Sequence, residues 1–393
     1  MADIRKRKGS KGITYQVRYS SPAEKSGYAY ATFDTLKEAR LFTENLGGMR
    51  HTSGGEKLTV AAAVQKWLDT CEKTGRDGRE IVEKTTLVEY ERRAAVMKAH
   101  PWEKKYLHEI ESADIVQFRQ WLLGTKSRDL ARRTLSSFHS VLIEMRLQGF
   151  IKDDPAMGIT IRSDGRYEED DEVRIPTDQE IRALLTAADR MGEGSERMAK
   201  VWRRYRPMIY LAVFSGMRPS EYRGLAWTNV GPDRVNVRQR ADRLNKIGPV
   251  KSRAGRRTIY LPESVASMIL AWRPHCPVSK LGLVFPTASG KPMALSNFAR
   301  RCWEPLMKAA NLMEPDPLRA DGTLRPCFSP YALRHYYASK LISKGKDLKF
   351  IQTCMGHADI QMTLNVYGHL LKDKEEEHQK TAEDLALELI AAE

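Results

Sequence analysis

The sequence predicts a multidomain chain: a small α/β module with a three-stranded sheet and one helix, then an all-α domain, then a mainly α domain carrying a β-hairpin sheet. Three observations predict it. Apolar and polar residues alternate near the start; apolar residues recur at helical spacing from about residue 58 to 155; and a segment almost free of apolar residues, 162–174, precedes a last region of helices broken by one β run. At 393 residues the chain exceeds one ordinary domain, and 41% hydrophobic residues suffice for more than one core. The boundaries read from these changes are 1–55, 56–161, a linker at 162–174, 175–369, and a tail at 370–393.

In the first module Ile13, Tyr15, Val17 and Tyr19 alternate with polar residues, as a half-buried strand requires, and Tyr28 to Phe33 forms another. Thr35-Leu36-Lys37-Glu38 has capping-box spacing, and Gly47-Gly48 can end the helix it opens. A basic arm containing Arg5, Lys6, Arg7 and Lys8 precedes the sheet. In the second region Val60, Val64, Trp67 and Leu68 share one helical face, and Ile115, Phe118, Trp121 and Leu122 share another. A longer helix runs from about Asp129 to Gln148, with Arg132 and Arg133 near its start. The last region opens with a second capping box at Thr177-Asp178-Gln179-Glu180 and contains a β segment from Val235 to Leu261.

The 65 Lys and Arg outnumber 50 Asp and Glu, a formal net charge of +15, so a polyanionic partner is expected. Nucleic acid is favoured over a membrane, because no apolar run approaches the roughly 20 residues that span a bilayer. The basic, polar first residues do not form a secretory signal, and five scattered cysteines without a C-x-x-C pair read as reduced thiols of a cytoplasmic protein. Cys354 and His357 form a lone C-x-x-H with no second pair at zinc spacing, so no metal is expected. Ser289-Gly290-Lys291-Pro292 lacks the upstream glycine of a phosphate loop and has proline at the magnesium-binding position, so no nucleotide cofactor is expected either.

Chemistry concentrates in the last region. Arg218 lies in Ser215-Gly216-Met217-Arg218-Pro219-Ser220-Glu221, where Gly216 ends one helix and Pro219 suits the first turn of the next. A guanidinium there is fixed between two helix ends. Ser329 can cap a helix with Pro330 in its first turn, which sets Tyr331 and Arg334 three apart on one face. Gly356 marks another helix end with His357 just beyond it, and Tyr367 follows ten residues later in Leu364-Asn365-Val366-Tyr367-Gly368-His369. Taken singly, each is more often a surface arginine, a cap or a core tyrosine.

Taken in order, these blocks resemble the tyrosine recombinase and phage integrase family: a G-x-R-x-x-E block at Arg218 and Glu221, an L-R-H block at Arg334, a G-H block at His357, then Tyr367 with its Y-x-H. Lys251, before the basic turn with Arg253, Arg256 and Arg257, matches the family's β-hairpin lysine. One position departs. The family usually has histidine three residues before its second arginine, and here that residue is Tyr331. His335 is not its replacement on sequence grounds, because an R-H dipeptide itself belongs to the block.

The resemblance implies the tyrosine recombinase fold, with an arm-type DNA-binding domain, a helical core-binding domain and a catalytic domain. It implies strand cleavage and rejoining through a 3′-phosphotyrosyl link to Tyr367, without cofactor or metal. Arg218, Arg334, His357 and Tyr331 would stabilise charge on the phosphate, Lys251 would protonate the leaving 5′-oxygen, and Glu221 would orient Arg218 or the histidine. Arg5, Lys6, Arg7, Lys8, Arg132, Arg133, Arg253, Arg256 and Arg257 are the expected DNA contacts. The implied partners are double-stranded DNA at core and arm sites and three further copies in a homotetramer. An excision factor and a host DNA-bending protein are candidates as well, all at the nucleoid of a prokaryotic host. In the tail, residues 371–393 hold eight Asp or Glu against three Lys, with Leu385 and Leu389 four apart, and the resemblance implies exchange of this helix between protomers. Two rival functions fit similar residues: DNA relaxation by a type IB topoisomerase, and a regulator that binds DNA but has lost catalysis.

Overall fold

The computed structural model describes residues 3–9, 12–20, 28–48, 58–76, 78–162, 174–193 and 195–368. The acidic tail with its proposed exchange, and nearly all of the expected linker, lie outside the described residues. The chain divides into two compact units, Met1–Arg166 and Tyr167–Glu393. None of the described helices is long and apolar enough to cross a membrane.

The first unit begins with an antiparallel sheet in the order β1 (Asp3–Gly9), β2 (Gly12–Ser20), β3 (Tyr28–Phe33). The basic run is therefore not a free arm. It is the edge strand β1, paired in register with β2 from Asp3↔Arg18 to Gly9↔Gly12. Side chains on a strand alternate between faces, so Arg5 and Arg7 point one way and Lys6 the other, and all three are exposed. Helix α1 (Leu36–Gly48) opens on the expected capping box: the Glu38 amide donates to Thr35 Oγ1 at 3.2 Å and the Thr35 amide to Glu38 Oε2 at 3.3 Å.

Four helices make the rest of this unit: α2 (Val60–Lys73), α3 (Lys84–Lys98), α4 (Ser112–Thr125) and α5 (Arg128–Leu147). Val60, Val64, Trp67 and Leu68 are buried as their spacing requires, as are Ile115, Phe118 and Leu122, while Trp121 sits half-buried at the rim. Trp102 stacks on Phe138 at 4.8 Å between ring centroids and anchors the core at the join between α3 and α4. Arg132 and Arg133 both lean on Asp129, at 3.0 and 2.9 Å, and remain about half exposed. Exposed pairs of this kind contribute little stability, so both arginines remain open to another anion.

The second unit runs α6 (Asp178–Arg190), α7 (Glu196–Ser215), α8 (Pro219–Arg223), β4 (Arg234–Val237), β5 (Gln239–Ala241), β6 (Ile247–Pro249), β7 (Arg257–Tyr260), α9 (Glu263–Trp272), α10 (Leu295–Phe298) and α11 (Glu304–Ala309). Its described residues continue through β8 (Met313–Pro315), β9 (Leu324–Pro326), α12 (Ala332–Ser343), α13 (Leu348–Met355) and α14 (Ile360–Tyr367). The second capping box forms, with the Thr177 amide 2.8 Å from Glu180 Oε2 and the Glu180 amide 3.2 Å from Thr177 Oγ1. The β segment from Val235 to Leu261 becomes two antiparallel pairings, β4 with β7 and β5 with β6. The β8–β9 hairpin was not expected from the sequence, since strands of three residues ending in proline show no alternation.

A large core surrounds α7, whose Trp202, Tyr205, Met208, Ile209 and Leu211 are all buried. A second, smaller cluster joins Ala338 and Ile342 of α12, Ile351 and Met355 of α13, and Tyr367 at the end of α14. The ring of Tyr367 thus belongs to the packing that holds the last three helices together.

Candidate active site

Two glycine-ended helices organise the site. Gly216 caps α7 in the left-handed region at φ 59°, and a Cβ there would lie 2.4 Å from the Tyr337 ring. Gly356 caps α13 at φ 63°, where a Cβ would come within 2.9 Å of the Arg257 guanidinium. Both positions require glycine for conformation and for space. The chain then turns at once into α8, with Arg218 as N-cap and Pro219 in the first turn, as its sequence predicts.

Carbonyl groups left over at these helix ends bind the arginines. Arg334 donates from Nη1 to the Gly216 carbonyl at 2.6 Å and from Nη2 to the Met355 carbonyl. Arg218 donates from Nη2 to the Gly356 carbonyl at 3.4 Å and from Nη1 to Glu221 Oε1 at 2.9 Å. Helix C-termini carry partial negative charge, so they fix cations without neutralising them. Arg334 is 1% exposed. Burial and the nearby Arg218 pull its pKa down to about 10, which leaves it charged at neutrality.

Glu221 accepts a hydrogen bond from Arg218 rather than from the histidine, and it does more, so one expectation needs correcting. Arg257 is not a surface contact for DNA: it is 5% exposed and clamps Glu221 with Nη2 to Oε2 at 2.9 Å and Nη1 to Oε1 at 3.2 Å. Its Nε also donates to the Cys354 carbonyl at 2.7 Å. The reason is strand alternation, which turns Arg257 and Ile259 inward and Thr258 and Tyr260 outward. Burial alone would raise the Glu221 carboxyl, but the bonds and charge of Arg257, then Arg218, more than offset it and hold the pKa below the usual carboxylate range. Arg253 and Arg256 of the same turn are exposed.

His357 follows Gly356 and is 7% exposed, with Nδ1 2.9 Å from Thr363 Oγ1. Thr363 fixes the ring, and no spacing in the chain points to that partner. Burial, and then the charges of Arg334, Arg218 and Arg257, lower the His357 pKa to about 4, so the ring is neutral near pH 7. Tyr367 is 1% exposed, and burial raises its hydroxyl well above the usual range even though Arg334 and Arg218 pull the other way. Its oxygen lies 2.8 Å from His335 Nδ1. Sequence reasoning set His335 aside; the structure brings it to the candidate nucleophile.

Tyr331 differs from expectation in detail. Ser329 does not cap the helix: α12 begins at Ala332 and Tyr331 itself is the N-cap. The ring is 39% exposed and its centroid lies 5.1 Å from that of His335. Lys251 is exposed in the bend between β6 and the basic turn. The structure therefore gathers Arg218, Glu221, Arg334, His357 and Tyr367, adds Arg257 and His335, and leaves Lys251 on a neighbouring loop. Arg218 and Arg257 hold the Glu221 carboxylate while Arg334 is tethered to carbonyls alone, which leaves an excess of positive charge suited to a phosphate ester whose charge grows on its non-bridging oxygens.

Arginines tethered to helix ends, with charges that reach a tyrosine hydroxyl, equip a protein to handle phosphate esters through that tyrosine. Residues 175–374 match the model of the phage integrase family, and the chain belongs to that family of DNA-cleaving and rejoining enzymes. It has the tyrosine recombinase fold. It is 25% identical over 266 residues to the "Tyrosine recombinase XerC-like" protein of Caldanaerobacter subterraneus subsp. tengcongensis, a match covering 61% of this chain and 61% of that relative's length. It is 22% identical to the prophage integrase IntR of Escherichia coli, over 85% of this chain and 83% of the relative. Among solved structures, the Tn1549 transposon integrase in complex with transposon right end DNA superposes with a TM-score of 0.64 at 19% identity, covering 84% of this chain and all of that one (100%). A lambda integrase dimer bound to a COC′ core site gives 0.53 at 16% identity, over 81% of this chain and 97% of that one.

Proposed function

We propose that this chain is a site-specific recombinase that integrates and excises a mobile DNA element through a 3′-phosphotyrosyl intermediate at Tyr367. The observation that carries this reading is the pair Arg218 and Arg334, tethered to two helix ends with charges that reach the Tyr367 hydroxyl. In it, Arg218, Arg334 and His357 hold the non-bridging oxygens of the scissile phosphate, with the Tyr331 hydroxyl as a further donor. Tyr367 attacks phosphorus, and the exposed Lys251 protonates the departing 5′-oxygen. The covalent link conserves the energy of the broken ester, so a 5′-hydroxyl from a second duplex can reverse the attack without ATP.

Residues 1–55 would hold arm sites and 56–161 core sites, with four copies acting on paired DNA. The prophage and transposon integrases among the similar proteins favour a mobile-element role. The test is covalent trapping on a nicked duplex that carries the crossover site. Wild type should form a protein–DNA adduct, and Tyr367→Phe should bind equally well and form none. An adduct on Tyr367→Phe would reject the assignment.

A further inference from the structure

Position 331 leaves the site short of a base. A phenol donates its proton more readily than it takes one, and the exposed ring of Tyr331 lies tilted at 58° to that of His335, 5.1 Å between centroids. Yet the Tyr367 hydroxyl must lose a proton to attack phosphorus, and burial holds that proton more firmly than usual. The group in contact with it is a nitrogen. His335 Nδ1 lies 2.8 Å from the hydroxyl oxygen, within the range for proton transfer, and the two rings sit 5.7 Å apart between centroids. His335 is half-buried on α12 directly after Arg334, so the helix that fixes the phosphate-binding arginine also fixes this imidazole.

Among the described residues, four charged or titratable groups surround it. Arg334 precedes it on the same helix, Tyr331 lies one turn back, Tyr367 faces it from α14, and His357 lies close enough to feel its charge. Burial, then Arg334, lowers the His335 pKa to about 4, so the ring is neutral, and in the tautomer that carries its proton on Nε2 the Nδ1 atom accepts from Tyr367. The same arginine opposes an imidazolium, and a bound phosphate would offset that arginine's charge at the moment of transfer.

We propose that His335 is a catalytic residue, the proton acceptor for Tyr367, and that it fills the role left open by Tyr331. The proposal rests on the recombinase reading above. In the cleavage step the Tyr367 O–H bond breaks and its proton passes to His335 Nδ1. The phenolic oxygen bonds to phosphorus, the bond from phosphorus to the 5′-oxygen breaks, and that oxygen takes a proton from Lys251. Rejoining runs the same transfers backwards, so His335 returns the proton as Tyr367 leaves.

The experiment is single-turnover adduct formation by the full chain on the nicked duplex, with wild type, Tyr367→Phe, His335→Phe and His335→Asn. Asparagine keeps an acceptor oxygen near the Nδ1 position but cannot take the proton, so it separates holding from proton transfer. Adduct on wild type but not on Tyr367→Phe upholds the recombinase reading; no adduct on wild type sinks both readings. Both His335 variants should cleave about 10²–10⁴ more slowly with unchanged DNA affinity. The wild-type rate should climb with pH as the bound-state imidazole loses its proton, and His335→Asn should lack that limb. A substrate with sulfur for the bridging 5′-oxygen needs no proton on departure, so it should rescue Lys251→Ala and not His335→Asn. Wild-type rates in His335→Phe, or a wild-type rate and pH profile in His335→Asn, would overturn the proposal. Thermal unfolding identifies any variant that fails to fold, and His335→Asn, the near-isosteric change, then carries the test.

Discussion

Consider Arg257→Met, which keeps the length of the side chain and removes its charge. Four hydrogen bonds disappear, two to Glu221 at 2.9 and 3.2 Å and two to the carbonyls of Cys354 and Gly255 at 2.7 and 3.2 Å. Glu221, 2% exposed, is left with Arg218 as its remaining cation. Removing one partner of a buried ion pair typically costs about 3–5 kcal/mol, and the surviving Arg218 bond points to the lower end, about 3 kcal/mol. In units of roughly 150–250 residues each kcal/mol moves the midpoint by about 2–4 °C, so unfolding of this unit should fall by about 6–12 °C. Arg257→Met with Glu221→Gln should recover part of the loss, because no uncompensated carboxylate is then buried. Calorimetry of the single and double variants, beside anisotropy titrations with duplex DNA, measures both quantities. A single variant as stable as wild type, with weakened DNA binding, would refute this reasoning and restore Arg257 as a surface contact.

Tyr331→Phe should slow single-turnover cleavage by about 10²–10³, the usual loss for one well-placed donor to a developing oxyanion, while DNA affinity stays constant; an unchanged rate would show the hydroxyl to be idle. Stability should also fall in mild acid. His335 and His357 have folded pKa values of about 4 against an ordinary 6.5, so the unfolded chain binds more protons between those values. The stability they permit is complete above about pH 6.5 and is lost as pH drops toward 4. Replacing both with asparagine should flatten the melting temperature across that window, and an undiminished slope would place the acid sensitivity elsewhere.

Local rules carried far into this fold. The caps at Thr35 and Thr177, the glycine helix ends at 216 and 356, and the placing of Arg218 between two helices all depend on residues within four positions of each other. Such features are written in short windows. Arg257 was misplaced because a basic run looks uniform in sequence, whereas burial there follows the pairing of β7 with β4, whose partner residues stand some twenty positions earlier. His335 stands in the R-H dipeptide of the family block, which accounts for it on sequence grounds, and its contact with Tyr367, 32 residues away on another helix, shows in no local period. Thr363 was missed for a simpler reason: a buried threonine offers no signal until the ring it supports is seen.

The way Arg334 is held has a further consequence. Its tethers are the carbonyls of Gly216 and Met355, dipoles with no net charge, rather than a carboxylate. Mobile ions screen net charges at a distance of about 8–10 Å and displace DNA from basic surfaces, but they compete poorly with a buried dipole in contact. Ionic strength therefore acts on one half of the task. In the recombinase proposed above, concentrated salt would strip DNA from exposed cations, yet leave the innermost arginine seated. Capture would respond to the ionic state of the cell, while the chemistry of a duplex already in place would not.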